Sequence, residues 1–462
     1  KNTNEDNYDE FLEEYMIRNL VKKYSDYIRY PIQMEVKKTV PKKDENGKDI
    51  DGKYIEVLEL ETLNSMMPIW KKNKNEVTDS ELNEFYKAKY YDYEDPFETI
   101  FFNVEGALSY TALLFIPKRA PYNLFSERYE KGLQLYSKSV LIMDKCKELI
   151  PDYLRFVKGL VDSNDLSLNI SRETIQQNQD VEKIAKNIEK KIVSRLESML
   201  KNEREKYIEF FKMYGLNLKY GVYDDFGLKK ELLQDLLIYR TVKDDNYITL
   251  NEYVEAMPKD QKYIYYASGK TKEQVLALPQ MDLVKKAGYN VLVLTDDIDE
   301  FVIQVLREYK KVEFKSINQG ELDILDKEEK EKIEELAKDK KSLLDRMKEI
   351  LANEVKDVIL STRLTDSPVC LVSEEGISFE MEKLIASLPN QEKVKATRIL
   401  EINPKHELFM ALEKLFNDNN EDFIDYVKLL YKQALLIEGF TLDDPVEFSN
   451  KMTKLMIKAS KY

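Results

Sequence analysis

The stretch from Asp162 to Gln177 holds the residues whose types and spacing are best suited to chemistry. It is a polar, turn-rich loop that runs into a predicted helix, and Ser171 is a good N-cap candidate because its hydroxyl can accept an N–H of the first turn. Arg172 and Gln176 are four residues apart, so they share one face of that helix. A planar cation and an amide on one face could hold a phosphate oxygen. Spacing alone favours an ordinary surface Arg and Gln, because such pairs are unspecific.

Size and charge limit the classes of protein that need to be considered. A chain of 462 residues is too long for one compact core and predicts two to four domains. The 86 acidic residues outnumber the 72 basic ones, giving a net charge of −14, which argues against a nucleic-acid binder. Glycine and proline number only 13 each, which favours helices over long disordered linkers.

Several kinds of chemistry are disfavoured by what the sequence holds. The single histidine, His406, excludes a multi-histidine metal centre and argues against histidine acid–base catalysis, so no metal is expected. Cys146 and Cys370 lie far apart and are predicted to be free thiols in a reducing compartment. No apolar run approaches the ~18 residues that span a membrane, so we expect a cytoplasmic protein without membrane or nucleic-acid partners.

Hydrophobic periodicity predicts a multi-domain α/β (α+β) protein. An α/β sandwich comes first, followed by helices in which isoleucine and leucine recur every four residues. Strands and helices then alternate over residues 262–317, with one helix predicted over 271–287, which implies a small parallel or mixed sheet. A dense charge run at 323–341 marks the main predicted boundary, beyond which strands are predicted at 355–360 and 369–372 and helices over the rest. The predicted divisions are a large α/β subdomain at 1–150, a helical subdomain at 151–245, a small α/β subdomain at 246–322 and a mostly helical C-terminal dimerisation domain at 323–462.

The loop at 162–177 resembles the catalytic loop of the middle domain of the ninety-kilodalton heat-shock chaperones. The resemblance continues, in order along essentially the whole chain, in segments at 65–70, 115–125, 149–163 and 364–368. In that family the loop arginine and glutamine approach the terminal phosphate of ATP that another domain holds. The resemblance therefore implies this catalytic role for Arg172 and Gln176.

The family's N-terminal ATP-binding domain uses an Asn/Asp and Gly-rich pocket, and no segment of this sequence matches it. The resemblance thus implies the middle and C-terminal domains of the bacterial type, with ATP and Mg held mainly by an N-terminal domain and no cofactor for this chain alone. It implies a homodimeric molecular chaperone whose partners are non-native client proteins and, as a further candidate, a cooperating bacterial heat-shock chaperone.

Two other functions remain open. A non-enzymatic dimeric scaffold without a client-folding role fits the same helices. An independent enzyme is the third hypothesis, although the sequence lacks a nucleophile motif, a metal cluster and a phosphate-binding loop.

Two middle-domain residues are candidate client contacts. Trp70, the only tryptophan, is either a core anchor or, as the resemblance implies, a partly exposed client contact at a domain edge. Leu141 stands where the family often has a client-contacting phenylalanine, and this departure weakens that part of the surface.

An apolar stripe over residues 377–388 is the third candidate client surface. Ile377, Met381, Leu384, Ile385 and Leu388 fall on one helical face. The stripe either packs on its own domain or, as in the bacterial family members, faces the dimer cleft and binds clients. The adaptable methionine favours the second interpretation, and Ile377, Met381, Leu384 and Ile385 are the predicted contacts.

Three apolar helices close the chain and predict a homodimer through residues 405–460. So short a segment cannot bury all of these stripes by itself, and two copies would form a four-helix bundle. The predicted dimerisation residues are Leu408, Leu412, Leu415, Phe448, Met452, Leu455 and Met456.

Overall fold

The computed structural model describes residues 11–28, 30–43, 49–166, 179–388 and 394–460. It is a mixed α/β protein, as predicted, and the chain forms two compact units, residues 1–217 and 218–462. This division does not test the four predicted domains, whose boundaries stay predictions. No helix of the described residues is both long enough and apolar enough to cross a membrane.

The first unit begins with helix and hairpin elements and then builds a five-stranded sheet. Its helices are Glu14–Leu20 (α1), Asp79–Tyr90 (α2), Gln179–Asn202 (α3) and Arg204–Tyr223 (α4), the last of which ends beyond residue 217. Its strands are Gln33–Lys43 (β1), Asp49–Thr62 (β2), Glu98–Val104 (β3), Tyr110–Ile116 (β4), Leu133–Ser137 (β5), Val140–Cys146 (β6) and Lys158–Ser163 (β7). β1 and β2 form a separate antiparallel hairpin.

The five-stranded sheet has the order β3-β4-β7-β5-β6. All neighbours are antiparallel except β5 and β7, which run parallel. Every residue of β4 is buried, so both faces of the sheet are covered at this strand. α3 buries the predicted isoleucine stripe, and its Arg195 donates two hydrogen bonds, of 3.0 and 2.9 Å, to the Glu98 carboxylate.

The second unit contains two further sheets and eleven described helices. The helices are Lys230–Leu233 (α5), Leu250–Glu255 (α6), Lys272–Leu276 (α7), Met281–Lys286 (α8), Asp299–Leu306 (α9), Lys327–Asp339 (α10), Lys341–Ile350 (α11), Phe379–Ser387 (α12), Glu407–Asn417 (α13), Asp422–Ile437 (α14) and Pro445–Ala459 (α15). The strands are Ile238–Thr241 (β8), Ile248–Thr249 (β9), Ile264–Ser268 (β10), Leu292–Leu294 (β11), Glu308–Tyr309 (β12), Val312–Ser316 (β13), Asp357–Leu360 (β14), Val369–Ser373 (β15) and Arg398–Ile402 (β16).

The six-stranded sheet of the second unit is mixed, with the order β12-β13-β10-β11-β8-β9. β10 runs parallel to both β11 and β13, in agreement with the predicted small mixed sheet. The three-stranded sheet has the order β14-β16-β15. α11, α13 and α14 pack their apolar side chains against this sheet in one hydrophobic core, which includes Leu344, Leu412 and Val427.

Three element predictions are wrong. Residues 158–163, placed in the helical subdomain, form β7 within the first sheet because both neighbouring strands supply backbone partners. The helix predicted over 271–287 divides into α7 and α8, since Pro279 between them has no N–H to donate. Residues 398–402 form the central strand β16, although the segment beyond residue 372 was predicted to be helical.

Candidate functional site

Arg172 and Gln176 lie outside the described residues, and their predicted catalytic role stays a prediction. The structure does describe the strand that leads to them, β7, and the residues up to 166. The described candidate regions are separate. One is the base of the loop in the first unit, and the other is the surface around α12 and the C-terminal helices in the second unit.

A buried carboxylate fixes the end of β7. Asp162 is 0 % exposed and accepts hydrogen bonds from Trp70 Nε1 at 2.9 Å, from Ser139 N at 3.1 Å and from Ser139 Oγ at 3.0 Å. Lys71 Nζ lies 3.1 Å from its Oδ2 and provides the compensating positive charge. Because a buried charge is stable only when it is paired and hydrogen-bonded, this carboxylate holds three chain segments together.

Hydroxyl groups hold the residues that follow Asp162. Ser163 Oγ donates to Ser109 O at 2.8 Å, and Ser109 N donates to the Asp165 carboxylate at 2.6 Å. Ser137 Oγ donates to Leu166 O at 2.6 Å. The first residues of the loop, 163–166, are thus hydrogen-bonded both to Ser109 before β4 and to Ser137 at the end of β5. Sequence patterns gave no signal for this network, because its partners lie up to 92 positions apart.

Trp70 is a core residue in this structure. Its side chain is 1 % exposed and its ring contacts Tyr27, Tyr136 and Phe85 at centroid distances of 4.6, 5.1 and 5.9 Å. Leu141 belongs to the same hydrophobic cluster and is 7 % exposed. The expected partial exposure of Trp70 is therefore wrong, and the core-anchor alternative describes its packing. That either residue contacts clients stays a prediction.

Helix α12 begins at the N-cap Ser378, whose Oγ accepts a hydrogen bond from Met381 N. Phe379, Met381 and Glu382 are buried. Polar contacts hold this side: Glu382 binds Arg398 at 2.7 Å and accepts a hydrogen bond from Ala396 N at 2.9 Å. The helix is thus attached along one face to its own domain.

The predicted stripe on α12 is divided between core and surface. Ile377 is half-buried against the core, and Gln304 Nε2 donates to Met381 Sδ at 3.0 Å. Leu384 and Ile385 are half-buried, whereas Leu388 is 46 % exposed. The C-terminal half of the stripe therefore presents apolar surface, while its N-terminal half is packed. Assignment of these four residues to client binding stays a prediction.

A cavity of about 560 Å³ lies beside α12. Its wall is formed by Met381 and Leu384 of the helix, by the residues that follow β10 and β11, and by the turn at 439–441 after α14. Phe440 in that turn is half-buried and makes an edge-to-face contact with Phe379, with centroids 5.6 Å apart. The cavity combines an apolar wall with carboxylates.

A second buried carboxylate, within the second unit, connects the C-terminal helices to side chains beside the six-stranded sheet. Glu438, 3 % exposed, accepts hydrogen bonds from the side-chain amides of Gln280 and Asn318. Lys383 Nζ donates to the Glu438 backbone carbonyl at 2.7 Å. Burial raises the pKa of Glu438 to about 7, because amide donors and a cation at the backbone carbonyl only partly replace water around its charge.

The C-terminal helices divide the predicted dimerisation residues into two groups. Leu412 is buried in the domain core, and Leu408 and Leu415 pack against that core. α15, by contrast, has no buried residue. Phe448 and Leu455 are half-buried, while the most exposed apolar side chains on this helix are those of Val446, Met452, Met456 and Ile457.

The described residues include no group of three or more His, Cys, Asp and Glu side chains placed to hold a metal ion. The free cysteines Cys146 and Cys370 are both buried, and burial raises the pKa of both thiols. These thiols are therefore poor nucleophiles, because the reactive thiolate is disfavoured.

Comparison with known proteins identifies the family. The family model described as "Hsp90 protein" matches residues 10–53 and 42–461. The chain is 50 % identical over 455 residues to the Chaperone protein HtpG of Clostridium botulinum (strain Langeland), covering 98 % of this chain and 72 % of that protein. It is 51 % identical over 458 residues to the Clostridium acetobutylicum HtpG and 48 % identical over 455 residues to the Clostridium perfringens HtpG (strain ATCC 13124), each again covered over 72 % of its length. Since the model match spans nearly all of the sequence and the relatives are about 50 % identical to it over the aligned residues, the chain belongs to the Hsp90 family of molecular chaperones.

Proposed function

We propose that this chain binds non-native client proteins as a homodimer and that Arg172 and Gln176 complete the hydrolysis of ATP held by residues outside it. Family membership supports the chaperone role. The observation that carries the client-binding part is the surface of α12, where Leu384 and Ile385 are half-buried and Leu388 is exposed. Leu384 also lines an open cavity. ATP with Mg is the cofactor that the family uses.

The physical basis of client binding is the removal of apolar surface from water, which contributes about 25 cal/mol per Å². Leu384, Ile385 and Leu388 form the accessible half of a helical stripe, and Met381 adjoins it. The unbranched methionine side chain can repack around varied partners. An unfolded segment can cover them without displacing the buried face that attaches α12 to its domain.

The alternative is a dimeric scaffold that binds no clients. The exposed apolar face of α15 favours dimerisation under either hypothesis, so dimer formation does not distinguish them. Suppression of aggregation does, because only the client-binding hypothesis requires the chain to hold an unfolded protein. A scaffold would leave aggregation of a heated client unchanged.

The test is the aggregation of a thermally unfolded client, followed by light scattering, with the chain in twofold molar excess or more. The double change Ile385→Asp with Leu388→Asp places charges at partly accessible positions, so the fold is retained while the apolar surface is lost. We expect wild type to suppress scattering and this variant to lose most of that effect. The matched control, Phe226→Asp with Leu228→Asp, removes similarly large apolar side chains that are 103 % and 81 % exposed elsewhere. Equal suppression by all three proteins would contradict the assignment to α12.

A further inference from the structure

The cavity beside α12 is lined by several acidic side chains as well as by apolar ones. Asp296, Asp297 and Glu300 follow β11, and Glu380 and Glu382 belong to α12. The cations that line the same cavity are Lys270 and Lys383. The lining therefore carries more negative than positive charge.

Three of these five carboxylates lie within ion-pair distance of a cation. Glu382 is paired with Arg398 and Glu380 with Lys383. Asp296 lies 2.7 Å from the buried ammonium of Lys219, which also lies 2.6 Å from Asp299. The charges of Glu380 and Glu382 are therefore largely neutralised within the fold, and that of Asp296 is partly neutralised by a shared cation.

Asp297 and Glu300 are different, since the described structure gives neither of them an ion pair. Asp297 is exposed at the mouth of the cavity. Glu300 is 7 % exposed, and its carboxylate accepts a hydrogen bond from Ser378 Oγ, a neutral donor. Burial raises the pKa of Glu300, which shows that its charge is only partly compensated. A cation entering the cavity would supply the missing compensation.

The remaining wall suits the stem of a long basic side chain. Leu384 and Phe440 are half-buried beside Met381, and together they offer apolar contacts. Lysine and arginine place a hydrocarbon stem against apolar surface while the charged head reaches polar groups. The cavity volume of about 560 Å³ is ample for one such side chain.

We propose that this cavity receives a lysine or arginine side chain of the non-native segment lying on α12, with the cationic head between Asp297 and Glu300. This inference rests on the proposed client binding at α12 and adds the chemistry of the preferred client. Such a segment carries a basic residue next to apolar residues. A Lys or Arg side chain would be unfavourable against the other, apolar parts of the α12 surface. The acidic cavity therefore determines which client segments bind best.

Anionic ligands are disfavoured at the same place. Gly269, Lys270 and Thr271 follow β10 and precede α7, which gives a local likeness to a phosphate-binding turn. However, Asp297 and Glu300 line the same cavity and would repel a phosphate. α7 also has only five residues, so its dipole adds little.

The experiment measures binding of fluorescent peptides to the whole chain by anisotropy. Two peptides share one apolar sequence and differ at a central position, which is lysine in one and norleucine in the other. We expect the lysine peptide to bind wild type about fivefold more tightly, an advantage that falls with added salt. Asp297→Asn should reduce that advantage to about twofold or less, and Asp297→Asn with Glu300→Gln should abolish it, while the norleucine peptide binds all proteins alike.

The matched control is Asp345→Asn, which removes an exposed acidic side chain on α11, outside the cavity. It should leave the lysine advantage unchanged. Asp297→Asn alters only an exposed group, so the test holds even where the Glu300 variant unfolds. Equal binding of both peptides to wild type, or an undiminished lysine advantage in Asp297→Asn, overturns the inference but leaves client binding standing. Failure of wild type to bind either peptide overturns the proposed client binding as well.

Discussion

At the scale of single residues, two buried carboxylates have contrasting environments. Asp162 has a lysine ammonium and three further hydrogen-bond donors, so its charge is well compensated. Glu438 has two amide donors, and Lys383 contacts its backbone carbonyl instead of its carboxylate. The partners of each group, and not burial alone, determine which charge is costly.

The pH dependence of stability tests the environment of Glu438. Its pKa is about 7 in the folded chain against an ordinary 4.5, so the folded state keeps the proton between these values and the unfolded state loses it. The contribution of Glu438 to the free energy of unfolding therefore falls as pH rises from 4.5 to 7, by roughly 3 kcal/mol. Wild type should lose about this much stability relative to Glu438→Gln between pH 5 and pH 8, as measured by denaturant unfolding.

The comparison with Glu438→Gln isolates this group. The charged neighbours Lys383 and Glu380 are present in both proteins, so the two proteins differ only in the side chain at position 438. The side-chain oxygen of Asn318 has no hydrogen-bond partner in the described structure, and a protonated Glu438 or a glutamine can donate to it after an amide flip. The Gln280 amide keeps its orientation, because its nitrogen also donates to Leu371 O at 2.7 Å. A stability difference that is the same at both pH values would show that Glu438 does not titrate in this range.

Arg172 is predicted to contact the terminal phosphate of ATP. In an ATP-hydrolysing protein that contains this chain, Arg172→Ala should lower ATP turnover by about 10²–10³-fold, because a charged donor to the terminal phosphate acts mainly in the transition state. Binding of MgATP should change by less than twofold. Gln176→Ala should have a smaller effect, since the amide is neutral. Steady-state turnover and nucleotide titration measure the two quantities, and unchanged turnover in Arg172→Ala would leave both residues as ordinary surface side chains.

At the scale of elements, the turn at Ile69–Lys71 supplies two of the groups that bind Asp162. Trp70 is the only tryptophan, so its emission reports on this turn alone. We expect blue-shifted emission and weak quenching by iodide, because the indole is buried and its N–H is hydrogen-bonded. Asp162→Asn keeps the shape of the side chain but removes its charge, and it should increase quenching. Red-shifted, readily quenched emission from wild type would contradict the described packing.

The elements with complete local signals were predictable from the sequence. α2 begins at the N-cap Thr78, which forms a capping box with Glu81. α15 begins with the Asp444 cap and has Pro445 at its first position. The isoleucines of α3 are buried as their four-residue spacing predicted. In each case residues close in sequence determine the structure.

The elements that were missed depend on residues far away in sequence. β7 forms a strand because it pairs with β4 and β5, and β16 forms a strand because it pairs with β14 and β15. The same reason limits prediction of the site. The periodicity of α12 shows an apolar stripe, but Gln304 and the core around Phe379 decide which half of it is covered.

At the scale of the whole molecule, α15 presents the clearest unpartnered apolar surface of the C-terminal region. Ion pairs attach its polar side to α14, with Lys454 and Lys451 Nζ 3.0 and 3.3 Å from the Asp425 carboxylate. Met456 and Ile457 remain 68 % and 52 % exposed. A second copy of the chain would bury such a face in a symmetric interface.

Dimerisation is tested by Met456→Asp with Ile457→Asp. Both positions are exposed, so a monomer tolerates the charges, whereas a dimer interface would have to bury them unpaired. Sedimentation should show a wild-type dimer and a folded monomeric variant, while Phe226→Asp with Leu228→Asp stays dimeric. Truncation after Asn403 is a poorer test, because it removes Leu412 and Val427 from the domain core. A variant that sediments as a dimer would place the interface elsewhere.

Photo-crosslinking tests directly whether clients lie on the accessible half of α12. A benzophenone amino acid is placed at Ile385 or Leu388, or at the exposed control position Phe226, and the chain is irradiated with an unfolded client. Crosslinks to the client should form from positions 385 and 388, and excess unlabelled client should compete them away. Position 226 should give at most a weak background. A client that binds with measurable affinity but crosslinks from neither 385 nor 388 would contradict the account.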